Sequence, residues 1–592
     1  MNPEEHYKKN QLHYIELEKK FKDKSTAVAW LRLAVFIGLC LFVYFLREHT
    51  EILISGIALL IVLFGWLVKR NSVLNDKAEL YQVLAKINER EQKVLHGKYD
   101  EFDAGENFQD AGHHYSNDLD LFGDRSLFQY LNRSVTEHGK AYLAEHLNTN
   151  HTNPDEINRF KELVRELAPK LEWRQKLQAI SRKSFKKKKK KKYSKTNQIQ
   201  ASIPAWFHAL KFIIPLLSIG FTVLLALDII YFQHYVMLLV LPFTLYGAFV
   251  LKKANFLHYQ YGNLEPVIKQ QLEIIKHLEE IPLESTMIKE DIQRLFQDDD
   301  KISGELNTFV SQFSNLEQRS SFLLSILLNL FLSWDIHWLQ KLEKWHKKNE
   351  VNIPQWSKFI GKIEAFSSLA NYGFNHPDYV YGETGSQYVL DVEQLGHPLL
   401  FGERILNDYR LGYLKEIHIV TGANMAGKST FLRAIGVNLV LARCGAPVCA
   451  KRFEFTPLEL YSGMRTDDSL QDGASYFFSE LRRLGKILDE LRADKQVFIL
   501  LDEILKGTNS KDKEEGSRKY IESLLKYEVV GLVATHDLAL CEMEKTYPDN
   551  IKNKSFEVEF QGDELIFDYK LKSGPCKTMN ASFLMKKLNL IE

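Results

Sequence analysis

Cysteine is scarce in this chain: five residues in 592, Cys40, Cys444, Cys449, Cys541 and Cys576. They form no C-x-x-C pair and match no metal-ligand spacing, so they read as reduced, buried or incidental thiols of a cytosol-facing protein. Net charge is equally sparse. Lys and Arg number 77 against 76 acids, a balance of +1, so no overall field selects nucleic acid as the partner. A cleavable signal peptide is not expected either, because the N-terminal segment is long and charged. The length leaves room for several domains and a sizeable core.

What the chain has instead is long apolar runs. Leu33 to Leu46 is unbroken, extended upstream by Trp30 and Leu31, and Ile52 to Val68 follows after a short polar link and is closed by Lys69 and Arg70. Phe212 to Leu227 and Tyr235 to Leu251 form a second pair, ending at Lys252 and Lys253. With flanks each approaches the ~20 residues that cross a bilayer, and Pro215 and Pro242 are tolerable in such helices. Lys and Arg sit on the outer flanks of both pairs, which predicts two hairpins with the termini and all large segments in the cytoplasm. Asp228 breaks the third run near its far end, where interfacial water reaches it. Few other polar groups lie within the runs, which argues against a transport path. Lys186 to Lys192 is seven lysines in a row. It reads as a solvated loop suited to anionic lipid headgroups, with DNA as the competing partner.

A shorter run, Phe322 to Trp334, contains Asn329 and ends in Asp335. Its length predicts a buried core helix rather than a span. Between about 256 and 350 the apolar residues recur at three- and four-residue spacing, the pattern of helices, and from about Tyr379 short strands and turns take over.

Ile419 to Gly436 reads IVTGANMAGKSTFLRAIG: an apolar strand, a glycine-rich loop and a helix. The loop fits G-x-x-x-x-G-K-[ST] through Gly422, Gly427, Lys428 and Ser429. The glycines let backbone N–H groups turn inward on phosphate oxygens, and the helix start adds its positive field. Lys428 is expected to reach the β- and γ-phosphates and Ser429 to help hold Mg²⁺, so the ligand read here is ATP with Mg²⁺. Downstream, the strand VFILL delivers Asp502, placed to bind Mg²⁺, and Glu503, placed to orient or deprotonate water. A further strand, Val529 to Ala534, ends at Thr535 and His536, within reach of the γ-phosphate. Gly473 to Ser475 is a turn opening a helix, a second donor set for an anion.

TGANMAGKST, DDSLQDGASYFFSE, LLDEILKGTNS and ATHD, in this order and spacing, resemble the ATPase domain of the MutS family across about 385–592. The stretch LDLFGDRSLFQYLNRSVTEHGKAYLAEHL resembles the start of that family's core, or lever, domain. The resemblance implies an ABC-type ATPase working as a homodimer with two composite sites, and DNA as a partner. Residue by residue it implies a phosphate loop of Gly422, Asn424, Gly427, Lys428, Ser429 and Thr430, with Ser429 and Asp502 on the metal. Glu503 and His536 would be catalytic in the same subunit, and Ser475 would act in trans. Gly507 to Ser510 would cross the dimer interface. The mismatch-reading N-terminal domain with its Phe-x-Glu wedge has no counterpart, and Phe401-Gly402-Glu403, which abuts the ATPase domain, reads as coincidence.

The expected fold is multidomain, α and α/β. It comprises a charged helix (1–26), a transmembrane hairpin (27–70), a helical stalk (71–117) and the first part of a MutS-core-like lever with the lysine loop (118–200). A second hairpin (201–254), the rest of the lever (255–375) and a C-terminal phosphate-loop ATPase domain (376–592) complete it. The expected function is that of a multi-pass membrane-anchored ATPase acting in DNA binding and repair-related processing. The competing reading is an ATPase that moves its membrane hairpins with no DNA involved.

Overall fold

The computed structural model describes residues 2–45, 50–188, 203–280, 282–295, 301–385, 387–423, 425–464, 476–506, 509–561 and 564–577. The chain divides into two compact units: 1–13, 85–174 and 363–592 form the first, and 14–84 and 175–362 the second.

Helix α1 (Pro3–Phe45) and helix α2 (Thr50–Leu95) each run without a break through the change from charged to apolar composition. A change of composition disturbs no i→i−4 hydrogen bond, so it does not end a helix. Beyond α2, helix α3 (Glu137–Asn148) starts where Thr136 accepts from the Gly139 N–H at 3.0 Å. Helix α4 (Pro154–Leu167) has Asn153 as its cap, proline at its start, and Ile157, Phe160, Leu163, Val164 and Leu167 on one buried stripe.

Helix α5 (Leu171–Lys188) is followed by α6 (Trp206–Ala226) and α7 (Phe232–Leu245), with Pro215 and Pro242 inside them. Asp228 lies in the turn between these two, at φ 56°. A wider turn, Tyr246–Leu251, joins α7 to α8 (Lys252–Glu280). Helices α1, α2, α6 and the α7–α8 pair are long and apolar enough to cross a membrane. Helix α9 (Ile302–Glu317) packs on α8, and α10 (Phe322–Leu332), α11 (Trp334–Asn349) and α12 (Asn352–Asn375) follow. The expectation that Phe322 to Trp334 is a buried core helix does not hold: α10 packs on α6 and α7 and leaves Leu324, Leu327 and Leu332 exposed. The side chains of Lys186 to Lys192 lie outside the described residues.

In the first unit a buried polar network fixes the helices that frame the C-terminal domain. Glu91 takes Arg133 through two contacts, 2.5 and 3.1 Å, and accepts from Asn371 at 3.0 Å, while Tyr7 donates to Asn375 at 2.7 Å. These hydrogen bonds offset part of the desolvation cost of the buried charges.

A four-stranded sheet is formed by β1 (Glu383–Thr384), β2 (Leu390–Leu395), β3 (Asn407–Leu411) and β5 (Arg452–Phe455), in the order β1-β5-β2-β3. The larger sheet contains β4 (Ile417–Gly422), β6 (Glu459–Gly463), β7 (Val497–Asp502), β8 (Val529–Thr535), β9 (Ile551–Gln561) and β10 (Glu564–Ser573). Its order is β10-β9-β4-β8-β7-β6, parallel throughout except for the β9–β10 hairpin. Both faces are covered, which is why β4, β7 and β8 are almost continuously apolar. Val497, Ile499 and Leu501 face a core shared with helices α14 (Tyr476–Arg492) and α15 (Ser510–Leu524). On the other face α13 (Lys428–Arg443) comes so close that a Cβ at Gly436 would sit 3.0 Å from Leu500. Four of the five cysteines are buried, Cys40 is exposed, and all are free thiols.

Candidate nucleotide site

β4 lies in the middle of the parallel sheet and ends at Gly422, where the chain must turn sharply off the strand. Gly422 has φ 151°, and a Cβ there would meet the Phe556 carbonyl oxygen at 2.6 Å, so only glycine fits. Gly427, at φ 102°, caps α13 with no side chain over the helix start. The first N–H groups of α13 therefore open toward the loop, the arrangement that receives phosphate.

Lys428 is 4 % exposed, and its Nζ donates to the Gly422 and Ala423 carbonyls at 2.7 and 3.0 Å. Burial pulls its pKa down, and the carboxylates of Glu503 and Asp502 partly restore it. The ammonium is thus folded back on its own loop, beside the place its phosphate partners would take. Ser429 Oγ donates to Asp502 Oδ2 at 2.5 Å. This hydroxyl and carboxylate come from adjacent elements and are hard oxygen donors of the kind Mg²⁺ accepts. Among the described residues no three His, Cys, Asp or Glu side chains cluster as a metal cage.

Glu503 leaves β7 in a left-handed conformation, φ 56°, with its N–H donating to the Ala534 carbonyl at 2.8 Å. Its Oε1 lies 3.1 Å from His536 Nδ1 at the end of β8. Burial pushes the Glu503 carboxyl up, but the His536 hydrogen bond and the charges of His536, Lys506 and Lys513 outweigh it and hold the pKa below its ordinary value. Glu503 is therefore an ionised acceptor at neutral pH, as a water-orienting group requires.

A cavity of about 530 Å³ opens beside this set. Gly427 to Thr430 and Glu503 line it together with His397, Leu400, Phe431, Phe556 and Tyr569. Burial lowers the His397 pKa to about 4, with Arg433 and Arg404 adding to the effect, so its ring is neutral at pH 7. The lining thus combines the phosphate loop with aromatic and apolar side chains that a flat ring could rest against. Glu403 also lines the cavity, and neighbouring Phe401 packs edge-on against Tyr130 at 5.5 Å between ring centroids. This triplet has a packing role in its own domain.

The structure brings Gly422, Gly427, Lys428, Ser429, Thr430, Asp502, Glu503 and His536 to one edge of the sheet, the C-terminal ends of β4, β7 and β8. Asn424 and Ser475 lie outside the described residues, as do Gly507 and Thr508. Asn509, which follows, caps α15 by accepting from the Asp512 N–H at 2.9 Å.

Two contributors have no strong signature in the sequence. Part of the cavity's lining comes from His397 and Leu400, which precede the loop in sequence. Glu480, 8 % exposed on α14, accepts from the backbone N–H groups of Leu505 at 2.6 Å and Lys506 at 3.1 Å. It fixes the turn that follows Glu503. The capping of two N–H groups three positions beyond a strand end was findable only from the structure.

A family model described as MutS domain V matches residues 418–587. The DNA mismatch repair protein MutS of Thermotoga maritima is 30% identical over 234 residues, covering 38% of this chain and 29% of that protein. The MutS of Aquifex pyrophilus is 34% identical over 228 residues, 37% of this chain and 26% of that one. MutS protein homolog 4 of Homo sapiens is 30% identical over 214 residues, 34% and 22% of the two chains. The chain therefore matches less than a third of the length of these relatives, and the matching part is the domain that carries the site. The C-terminal domain, with its phosphate loop, strand-end acids and ATHD histidine, is thus similar to domain V of the MutS proteins.

Proposed function

We propose that the protein is an ATP hydrolase of the MutS type, held in a membrane by α1, α2, α6 and α7–α8, and working as a homodimer with two shared ATP sites. The observation that carries this reading is the convergence of Lys428, Ser429, Asp502, Glu503 and His536 on one sheet edge. When ATP enters, Lys428 exchanges its loop carbonyls for β- and γ-phosphate oxygens, and the N–H groups of α13 close on the same phosphates. Ser429 and Asp502 hold the metal, and Mg²⁺ when bound neutralises charge on those oxygens. Glu503 orients the attacking water, and His536 keeps the Glu503 carboxylate ionised and aimed. In the dimer Ser475 of the partner subunit completes the site, with the loop from Gly507 to Ser510 at the interface.

Closure and opening of the dimer would act on DNA held near the membrane. Support for DNA comes from the Thermotoga maritima and Aquifex pyrophilus relatives, which are named for DNA mismatch repair. The termini and the ATPase domain would be cytoplasmic, with Lys186 to Lys192 against anionic lipid. A second reading, a membrane-assembly ATPase with no DNA, draws on the four apolar helices. ATPase rates of the detergent-solubilised protein with no DNA, homoduplex, mismatched and branched DNA, over a salt series, separate the two. Stimulation that weakens as salt rises supports DNA; equal rates in all four conditions support the assembly reading.

A further inference from the structure

Helix α10 has the sequence FLLSILLNLFL, eleven residues that span about 16 Å at 1.5 Å per residue, half of what a bilayer core requires. It is nonetheless not buried. Leu324, Leu327 and Leu332, at positions i, i+3 and i+8 of one face, are 43, 56 and 57 % exposed, whereas Asn329 and Leu330 on the opposite side are 1 and 6 % exposed. The covered side rests on α6 and α7, two of the helices long and apolar enough to cross a membrane. An exposed leucine face on a predominantly apolar helix is costly in water and calls for an apolar neighbour.

Both ends of α10 are tied to the foot of α7. Arg319, just before the helix, places Nη2 3.1 Å from Asp335 Oδ2, just after it. Tyr246, where α7 gives way to the wider turn, donates its hydroxyl to the same oxygen at 2.6 Å. Asn329 accepts from the Asp335 N–H at 2.9 Å, and Ser333, at φ 45°, turns the chain from α10 into α11. Around this point lie the residues that favour a water–lipid boundary. Lys211 sits over Phe212, Lys253 over Phe256 and Lys341 over Trp338, at 5.9, 5.8 and 4.5 Å. Trp206, at the start of α6, is exposed.

We infer that α10 is an in-plane membrane helix: it lies at the cytoplasmic face of the bilayer with Leu324, Leu327 and Leu332 among the lipid acyl chains, braced by the Arg319–Asp335–Tyr246 cluster. The occupant of the leucine face is lipid, because α10 packs on α6, a helix long and apolar enough to cross a membrane whose Phe212 and Leu216 are also open. The inference rests on the membrane reading of the four long helices and adds a fifth, non-spanning element to it.

The test uses the full-length wild-type protein in vesicles of phosphatidylcholine and phosphatidylglycerol. A trace of phosphatidylcholine carries a photoreactive diazirine either near the ester or at the end of an acyl chain, and adducts are mapped by mass spectrometry. The shallow reagent is expected to label α10 about tenfold above α15, which serves as the aqueous control, while the deep reagent labels α6 and spares α10. Labelling of α6 with none on α10 overturns the inference and leaves the membrane reading standing; a second copy or another protein would then cover the leucines. Equal labelling of α10 and α6 by the deep reagent also overturns it, since the helix would enter the bilayer core. No adducts on any of the four long helices would remove the membrane reading itself, and the inference with it.

Discussion

Glu480→Ala tests whether α14 holds the hydrolytic loop in place. The Glu480 carboxylate accepts from the Leu505 and Lys506 N–H groups, and hydrogen bonds to a charged group contribute about 1.5–3 kcal/mol each. Lys506 is exposed and water can replace its partner, but Leu505 is buried and its N–H would be left unpaired. The net local loss is therefore about 2 kcal/mol, one bond's worth. The turn has little reserve against such a loss. Glu503 and Leu505 both hold left-handed conformations, φ 56° and 60°, each costing of order 1–3 kcal/mol in a non-glycine residue. A shift of about 2 kcal/mol changes the occupancy of the working loop about thirtyfold. Displacing Glu503 by about 1 Å costs roughly a hundredfold in rate. The expected result is a kcat reduced about 10- to 100-fold, with ATP affinity, measured by a fluorescent nucleotide, within about threefold of wild type because Lys428 and Ser429 are untouched. Glu480→Gln keeps one acceptor oxygen and should lose less. An unchanged kcat in a folded Glu480→Ala protein, or a raised KM with kcat intact, would refute the reasoning.

Three further outcomes follow from the same geometry. Ser475→Ala and Lys428→Ala proteins, each nearly inactive alone because one lost oxyanion donor costs roughly 3 kcal/mol, should regain activity when mixed or co-expressed; verified subunit exchange without recovery would make Ser475 a helix cap. The His536–Glu503 pairing lowers the Glu503 pKa, so its stabilisation is present above about pH 4.5 and fades as pH falls through the lowered value. In His536→Ala burial is opposed only by the charges of Lys506 and Lys513, so that pKa rises and the acidic limb of the kcat–pH profile should move to higher pH; an unmoved limb contradicts the assignment. Fusion reporters should place Lys186 to Lys192 on the same side of the membrane as the ATPase domain, and opposite sides would overturn the two-hairpin topology.

The phosphate loop and the strand-end acids were legible in the sequence because local rules determine them: an apolar run, a glycine at an obligatory turn, then a helix start. The Glu503–His536 contact was not read from the sequence, which placed His536 only near the γ-phosphate; the two meet because parallel neighbouring strands bring their C-terminal ends together. The aromatic lining of the cavity was not legible either, because His397 and Tyr569 lie far from the loop in sequence and meet it only through sheet topology. Glu480 sits on an amphipathic helix, where a glutamate reads as a solvated charge until its partner strand is known. Helix α10 misled for a related reason. An apolar run shows that something covers it, yet not whether the cover is protein or lipid, and Leu324, Leu327 and Leu332 are not covered by protein in their own unit. The continuity of α1 and α2 was also hidden, since charge and apolarity change along them without any helix-ending residue.

The central claim, that this sheet edge hydrolyses ATP, is tested most directly by measuring ATP binding and phosphate release together on the full chain in detergent. Wild type, Lys428→Ala and Glu503→Gln should be compared side by side. The account predicts binding and turnover in wild type, loss of both in Lys428→Ala, and ATP bound with wild-type affinity but turnover lowered by at least about a hundredfold in Glu503→Gln. Phosphate release by Glu503→Gln at the wild-type rate, or its absence from wild type that binds ATP and Mg²⁺, would contradict it.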